Sequence, residues 1–383
     1  MLDFTLSPQH QQLQQLYRSF AQGRVKPLAR EMDEREEFDM ALLQEMKEHG
    51  FFSIPFEKRY GGAGADVLSY ALCIEEMSKV DASTGLTISV HTSLCASAIN
   101  EFGTEEQKQL WLRPLANGSK IGCFGLTEPN AGSDVAGART TAEKDGEHYV
   151  INGEKIFTTN SAFADTFLVF ALTDQSLPAS KGMSAFLVDR STPGVTVSPD
   201  IPRMGIRAAS NAAVTYQDVR VPAANLLGGI AGTGFKIAMK TLDGGRIGIA
   251  AQAVGIAQGT IDEAVRYVKE RVQFGRPIAA FQNTQFKLAE MQTMVDAARL
   301  MTYRAAVAKD QGQNYSTYAA MAKLLASDVA NQVTRGCVQL LGGYGYAREY
   351  AVERMMRDAK ITEIYEGTSE VMKMVISSSM RLK

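Results

Sequence analysis

The spacing of hydrophobic residues divides the chain into a helical part, a strand-rich part and a second helical part. Near the N-terminus apolar residues recur three and four positions apart, which places them on one face of a helix. They include Leu13, Leu16, Tyr17 and Phe20, behind a Ser7-Pro8 helix start. The spacing becomes alternating at Cys123 and helical again from about Gly232. We therefore predict an all-α domain over residues 1–121, a β domain over 122–231 and a helical domain over 232–383.

The N-terminal domain is predicted to contain several further helices. One begins at Asp39 and ends before Gly50, and Thr104 is placed to cap another. Two more cover residues 67–80 and 83–102. The segment 51–65 between them is predicted to be a loop.

The β domain is predicted from short alternating segments separated by glycine and proline. They lie at 149–151, 154–157, 166–172, 185–189, 194–198 and 213–219. The first two flank Asn152-Gly153, a dipeptide typical of two-residue hairpin turns because both central residues need positive φ. This pattern predicts an antiparallel barrel or sandwich.

Long periodic segments after the β domain predict a four-helix bundle. They cover 235–242, 245–274, 282–311 and 316–341. The predicted fold class is therefore mainly α with a central β domain.

The charge balance and the hydropathy of the chain argue against nucleic-acid binding and membrane insertion. Lysine and arginine total 40 against 42 aspartate and glutamate, so no overall field favours nucleic acid, and an anionic ligand needs local arginines. No run of eighteen apolar residues and no leader pattern is present, which predicts an untargeted cytoplasmic protein without membrane insertion.

Three features that often carry chemistry are interpreted as structural. The four cysteines share no CxxC spacing, which predicts reduced, buried thiols and no metal site. The Tyr60–Gly64 segment lacks GxGxxG spacing and is interpreted as a turn. His91 lies among apolar residues without a second histidine at metal spacing, which is typical of a core or surface residue.

Two polar segments are candidates for a site. Residues 124–134 form a loop rich in hydroxyls and turn formers, and local chemistry is evenly balanced between a capped loop and a binding loop. Tyr365-Glu366-Gly367-Thr368 either presents a carboxylate to a pocket or ends a helix in a polar turn. Taken alone, the helix end is favoured.

Both segments resemble motifs of the acyl-CoA dehydrogenase family. Arg357-Asp358-Ala359-Lys360, followed by Ile364-Tyr365-Glu366-Gly367-Thr368-Ser369-Glu370, is similar to the family's catalytic segment. Leu126-Thr127-Glu128-Pro129, followed by Ala131-Gly132-Ser133-Asp134, is similar to its flavin-contacting signature. The motifs occur in family order over essentially the whole chain, and the family's α, β, α arrangement agrees with the periodicity.

The resemblance implies an FAD-dependent enzyme that converts acyl-CoA to trans-2-enoyl-CoA. It makes Glu366 the base for the α-proton and flavin N5 the hydride acceptor, with an electron-transferring flavoprotein as the electron acceptor. Some relatives carry the base at the position of Gly245, which cannot act as one. An acyl-CoA oxidase and a non-catalytic acyl-CoA-binding protein are the alternatives.

The resemblance also implies a set of cofactor-binding residues. They are Phe124, Leu126, Thr127, Ser133, Phe157, Thr159, Arg271, Phe274, Gln282, Gln339, Gly342, Gly343, Thr368 and Glu370. Phe157 stands where many relatives have tryptophan, and Glu370 where many have glutamine. Alternation would place Phe157 and Thr159 on one strand face, with core packing as the alternative for Phe157. Arg271 is expected to reach the FAD of a neighbouring subunit, which implies a homotetramer.

Substrate contacts are implied in the same way. The residues are Ser133, Asp243, Arg246, Tyr365, Gly367 and Val90. The segment 241–248 is similar to that of short-chain members, notably butyryl-CoA dehydrogenases. Val90 is interpreted either as the floor of a short acyl pocket or as an ordinary core residue. Short branched acyl-CoA is the second substrate class considered.

Overall fold

The computed structural model describes residues 5–381, and its N-terminal part is helical. The helices are α1 Pro8–Phe20, α2 Ala29–Arg35, α3 Met40–Glu48, α4 Val67–Ser78, α5 Ala82–Ser89, α6 Ser97–Phe102, α7 Glu105–Gln107 and α8 Arg113–Ala116. π-helical turns over Ala21–Val25, Val90–Ala96 and Lys108–Leu112 continue α1, α5 and α7. These helices share one hydrophobic core with the C-terminal helices and with part of the β domain.

The helix starts predicted at Ser7-Pro8 and at Asp39 are confirmed. Ser7 Oγ accepts from the His10 N–H at 3.2 Å, and Asp39 Oδ1 accepts from the Leu42 N–H at 2.8 Å. These bonds satisfy backbone donors that have no partner within the helix. The predicted apolar stripe of α1 is wrong at Leu16, whose side chain is 51% exposed, and α2 was not predicted.

The β domain is a seven-stranded sheet of mixed direction. Its strands are β1 Gly122–Gly125, β2 Thr141–Asp145, β3 His148–Thr159, β4 Thr166–Leu172, β5 Met183–Asp189, β6 Val195–Asp200 and β7 Asn211–Pro222, with the short helix α9 Ala179–Gly182 before β5. The order is β1-β4-β2-β3-β7-β6, and β5 pairs with β4. Most pairs are antiparallel as predicted, whereas β1 and β2 run parallel to β4. Alternate residues of the strands, such as Phe167, Val169 and Phe186, form a second core.

The predicted hairpin at Asn152-Gly153 is wrong. Both residues lie inside β3, where the register against β7 shifts between Ile151 and Gly153. Asn152 Oδ1 accepts from the backbone N–H of Asp218 on β7 at 2.8 Å, so a long-range partner converts the dipeptide into a bulge. The turn lies earlier, at Gly146, which has φ of 58° and joins β2 to β3.

The C-terminal part is helical, with one small hairpin. Its elements are α10 Gly234–Glu270, β8 Val272–Gln273, β9 Arg276–Pro277, α11 Gln282–Asp310, α12 Ser316–Leu341, α13 Ala351–Ile361 and α14 Ser369–Ser379. In the described residues no helix is long and apolar enough to cross a membrane.

The predicted break in the first C-terminal helix is also wrong. α10 runs without interruption through Asp243, Gly244 and Gly245, and it ends at Glu270 instead of Phe274. Glycine lowers intrinsic helix stability, but close packing offsets that loss. A Cβ on Gly259, for example, would lie 2.0 Å from the carbonyl oxygen of Lys79. Glycine therefore lets α10 approach the C-terminal end of α4 closely.

Candidate active site

Glu366 lies in the loop between α13 and α14, in a conformation that few side chains adopt. Its φ is 52°, and that of Gly367 is 101°. Both carboxylate oxygens are buried without a hydrogen-bond partner in residues 5–381. Such a group is costly unless a ligand supplies the missing interaction.

The carboxylate faces α10 at Gly245. A Cβ on that glycine would lie 2.0 Å from Glu366 Oε2 and 2.8 Å from Leu94 Cδ2. The absent side chain therefore leaves the space that the carboxylate occupies. Leu94, on the π-helical turn after α5, borders the same space.

The local electrostatics suit a proton acceptor. Burial raises the pKa of Glu366 to about 8, and the positive charges of Lys323 and Arg246 act against that rise. A general base works best when its pKa is close to the working pH. Glu366 is therefore a far stronger proton acceptor than a solvated glutamate.

Neighbouring helices hold the loop in place. The Tyr365 hydroxyl donates to Gln252 Oε1 on α10, and Lys323 Nζ on α12 donates to the Gly367 carbonyl at 2.7 Å. Ser327 Oγ, also on α12, donates to the Thr362 carbonyl at 2.7 Å. The loop is thus bound to α10 on one side and α12 on the other.

Thr368 and Glu370 have roles at the start of α14. Thr368 Oγ1 accepts from the Val371 N–H at 3.3 Å and caps the helix. Glu370 is exposed in the first turn, where a negative charge interacts favourably with the helix dipole. That placement is a structural reason for glutamate at a position where the family often has glutamine.

Among the predicted substrate residues, Asp243 and Arg246 form an ion pair at 2.5 Å on α10. Arg246 is buried and its Nε has no partner in the described chain. Val90 is 4% exposed and lies four residues before Leu94 on the same helical stretch. The core and pocket-floor interpretations of Val90 both remain predictions. Ser133 is exposed in the loop after β1.

The two predicted flavin segments lie side by side. The Ile156 N–H donates to the Thr127 carbonyl at 2.9 Å, which joins the loop after β1 to β3. Phe124 and Leu126 are buried beneath this loop. The structure therefore assembles one surface from residues about thirty positions apart.

A buried ion pair supports that surface. Lys155 Nζ donates to Glu128 Oε1 at 2.7 Å and to the Leu126 carbonyl at 3.1 Å. The second oxygen of Glu128 accepts from the Arg139 N–H at 2.6 Å. A buried pair with these additional hydrogen bonds is well satisfied and holds its loop rigidly.

The regular alternation from which Phe157 and Thr159 were predicted to share a face is interrupted between these residues and Lys155. Phe157 has φ of 56°, and the strand register shifts between Lys155 and Thr158. The ring of Phe157 is 56% exposed, which also excludes core packing, whereas Thr159 is buried and accepts from Asn211 Nδ2 at 3.1 Å. An exposed aromatic ring beside the Thr127 segment fits a flat ring system such as isoalloxazine.

The other predicted cofactor residues lie at the outer end of the helical bundle. They are Arg271, Phe274, Gln282, Gln339, Gly342 and Gly343, of which all but the partly buried Arg271 are exposed. Phe274 is 93% exposed, and the Arg271 guanidinium lies 5.2 Å from the centre of the Tyr344 ring. This surface is open to contact with another molecule.

Sequence reasoning missed Leu94, Gln252 and Lys323. Lys323 left a signal, because it stands on the same helical face as the apolar Ala319, Ala326 and Ala330. A lysine at a core position of a helix requires a partner.

Comparison with known proteins agrees with the fold and the site. The acyl-CoA dehydrogenase N-terminal domain matches residues 7–119, the middle domain 123–219 and the C-terminal domain 232–381. The chain therefore belongs to the acyl-CoA dehydrogenase family. It is an acyl-CoA dehydrogenase, an oxidoreductase of the flavoprotein class.

Individual relatives are similar over their full length. The short-chain specific acyl-CoA dehydrogenase of Clostridium acetobutylicum is 53% identical over 379 residues, covering 99% of this chain and 100% of the relative. The structure of butyryl-CoA dehydrogenase from Megasphaera elsdenii is 48% identical with a TM-score of 0.97, covering 99% and 100%. A structure described as the electron transferring flavoprotein of Acidaminococcus fermentans contains a chain that is 49% identical, with a TM-score of 0.98 and complete coverage of both chains.

Proposed function

We propose that this protein is an FAD-dependent dehydrogenase of short-chain acyl-CoA thioesters, with Glu366 as the base that removes the α-proton. One observation supports the assignment of the base: the Glu366 carboxylate is buried and has no hydrogen-bond partner among residues 5–381, on a loop bound to two helices. The product is the trans-2-enoyl-CoA.

The residues of this chain account for the proton transfer. A thioester α-hydrogen is only weakly acidic, so the base needs a raised pKa and the developing enolate needs hydrogen-bond donors. Glu366 has a pKa raised to about 8 by burial. Its own backbone N–H has no acceptor within residues 5–381, and we propose that it donates to the thioester carbonyl. FAD, when bound, supplies the two-electron oxidation by accepting the β-hydride at N5.

Two surfaces would hold the cofactor. Phe157 and the Thr127 segment would border the isoalloxazine ring, with Thr159 and Thr368 nearby as the family resemblance implies. Arg271 and the exposed residues at the outer end of the bundle would bind the phosphates and adenosine of a cofactor in a neighbouring subunit, since a guanidinium suits oxyanions. This arrangement requires at least two subunits, and the family resemblance implies a homotetramer.

The physiological electron acceptor is proposed to be an electron-transferring flavoprotein. Support comes from the 49% identical chain found in the structure described under that name.

Short acyl chains are the proposed substrates. The similarity to a short-chain specific enzyme and to a butyryl-CoA dehydrogenase supports this class. Leu94 and Val90, both in the hydrophobic core, are candidates for the wall and floor of the acyl pocket. Each methylene that fits adds about 0.8 kcal/mol of burial, and each that does not fit costs strain.

Turnover of an acyl-CoA length series with a dye acceptor tests the function. We expect kcat/KM to be greatest near four carbons and to fall beyond six, with isobutyryl-CoA included as the branched comparison. Glu366→Gln should keep its bound flavin and lose about three decades of kcat, because it removes a positioned base.

Three results would contradict parts of this proposal. An optimum at octanoyl-CoA or longer would contradict the short-chain assignment but not the assignment as a dehydrogenase. Near-normal turnover in Glu366→Gln would show that Glu366 is not the base. Rapid reoxidation of the substrate-reduced enzyme by dioxygen would indicate an oxidase.

A further inference from the structure

Lys323 is a fully buried lysine on α12, next to the candidate base. Its helical neighbours Ala319, Ala322 and Ala326 are buried and apolar. Nζ donates to the Gly367 carbonyl at 2.7 Å, and the described residues place no carboxylate within ion-pair distance of it. A buried ammonium that makes a single neutral hydrogen bond is expensive, which calls for a functional reason.

Lys323 is the first of three donors on one face of α12. The three donors stand four residues apart on α12. They donate to three backbone carbonyls between the end of α13 and the loop that carries Glu366. The bonds run from Lys323 to Gly367 at 2.7 Å, from Ser327 to Thr362 at 2.7 Å and from Asn331 to Ala359 at 3.0 Å. Only the donor nearest to Glu366 is ionisable. Burial lowers the pKa of Lys323 to about 8, so this side chain is positively charged at neutral pH.

The Lys323 hydrogen bond is made to a backbone segment with positive φ angles. Glu366 and Gly367 are consecutive residues with positive φ, at 52° and 101°. A glutamate in the left-handed region persists only when its surroundings hold it there. By fixing the Gly367 carbonyl, Lys323 stabilises the backbone conformation that directs the Glu366 side chain toward Gly245.

The charge of Lys323 also acts on Glu366. Burial raises the pKa of Glu366, and Lys323 is the stronger of the two cations that oppose this rise, ahead of Arg246. Arg246 is already paired with Asp243 at 2.5 Å. The ionisable groups that interact with one or the other member of the Lys323–Glu366 pair are Arg246 on α10, Tyr70 on α4, Tyr365 and Glu363 beside the loop, and Glu370 on α14.

We propose that Lys323 is a positioning residue for Glu366: its Nζ fixes the Gly367 carbonyl and places a positive charge beside the carboxylate, so that the base is both aimed and kept ionisable inside a dry site. This inference rests on the proposed function of Glu366. It adds a role for a side chain on α12 that acts through Glu366 and its loop.

The test compares Lys323→Gln, Lys323→Arg and Ser327→Ala. Ser327→Ala is the matched control because it removes a neutral donor from the same face of α12. The first readout is the infrared titration of the protonated carboxyl band, assigned to Glu366 by its loss in Glu366→Gln. The second is the pH profile of kcat/KM with butyryl-CoA and a dye acceptor.

In Lys323→Gln the Glu366 titration should move to higher pH by about one unit, the size of effect of a nearby opposite charge. The acidic limb of kcat/KM should move with it, because the base is active only when deprotonated. At pH 7, kcat/KM should then fall by up to about tenfold, the most that a shift of one unit allows, and recover in part at pH 9. Lys323→Arg keeps the charge and Ser327→Ala does not change it, so both should titrate as the wild type does.

Several outcomes would overturn the proposal. One is a folded Lys323→Gln protein in which Glu366 titrates at the wild-type pH, since a purely structural lysine would lower stability without moving the titration. If Lys323→Gln does not fold, the Lys323→Arg protein provides the test. A Glu366 titration that moves to higher pH in folded Lys323→Arg would also overturn the proposal. The proposed function fails differently, through full turnover in Glu366→Gln, and the infrared titration does not depend on that result.

Discussion

At the scale of single residues, Glu366 owes its chemistry to what surrounds it. Its sequence neighbours are a tyrosine and a glycine, and neither alters the acidity of a carboxyl group directly. The pKa is raised because α10 and α12 exclude water, and it is restrained by Lys323 and Arg246. Burial and two cations therefore act in opposition on the pKa of one side chain, and the result suits the base that we propose.

Gly245 has no side chain, and the Glu366 carboxylate occupies the space that a side chain there would fill. A methyl group there would lie 2.0 Å from Glu366 Oε2 and 2.8 Å from Leu94 Cδ2. Both atoms are ends of side chains, so Gly245→Ala should fold but displace the carboxylate. We expect kcat/KM to fall at least tenfold, because small misplacements of a catalytic group are costly.

Gly336→Ala on α12 is the control for that variant. Its methyl group would meet Met291 Sδ at 2.8 Å, which is as tight as the Gly245 contact with Leu94 but lies away from Glu366. Turnover of both variants, with helix content and melting temperature measured by circular dichroism, separates the two effects. Wild-type turnover in Gly245→Ala would show that the carboxylate works from another place.

At the scale of elements, α10 connects the site to the rest of the fold. It carries Gly245, Arg246 and Gln252, and further along it packs against α4 through glycines. α12 faces it and presents the donors that hold the catalytic loop. The loop is precise because two long helices determine it, and residues on packed helices are held more rigidly than residues on free loops.

Gly259 tests the packing of α10 on α4. Its Cβ would lie 2.0 Å from the carbonyl oxygen of Lys79, which is backbone and cannot rotate away. Gly259→Ala should therefore lower the free energy of unfolding by about 1–3 kcal/mol, the usual cost of overpacking. Chemical denaturation followed by circular dichroism measures it.

Gly23→Ala provides the comparison for this element. No atom lies within 4 Å of a Cβ at that exposed helical position, so alanine should be neutral or should stabilise by up to about 1 kcal/mol. Equal effects of the two substitutions would show that α10 and α4 adjust freely to each other.

At the scale of the whole molecule, one chain provides two separate parts of the proposed cofactor site. The flavin-ring segments lie in the β domain, and the exposed set that includes Arg271 lies at the outer end of the bundle. Within that exposed set, the Phe274 side chain is 93% exposed. Association with further copies of the chain would explain both features.

Arg271→Ala tests the link between cofactor and assembly. If Arg271 binds FAD across a subunit interface, ligand binding and association are coupled by mass action. The variant should lose FAD on dilution and shift toward smaller species, as measured by flavin absorbance and light scattering. Exposed Arg113 on α8 gives the control, since Arg113→Ala removes the same charge elsewhere on the surface. A wild-type protein that is monomeric and fully flavinated would contradict this link.

Much of this protein was determined by local sequence. Helical spacing, the caps at Ser7, Asp39 and Thr104, and the change to alternation at Cys123 depend on residues close together in the chain, and the helix, strand, helix order follows from them. The motif around Glu366 likewise identifies its family by adjacent residues. Such features are readable because hydrogen bonding and side-chain periodicity within an element are local.

Tertiary structure decided the features that depend on distant partners. Asn152-Gly153 became a bulge because Asp218 bonds to it from β7, and α10 stayed continuous because its glycines pack against α4 and the catalytic loop. The acidity of Glu366 and its proximity to Lys323, 43 positions earlier in the sequence, exist only after α12 folds against the loop. Burial and charge proximity depend on distances in space, and the order of residues does not contain those distances.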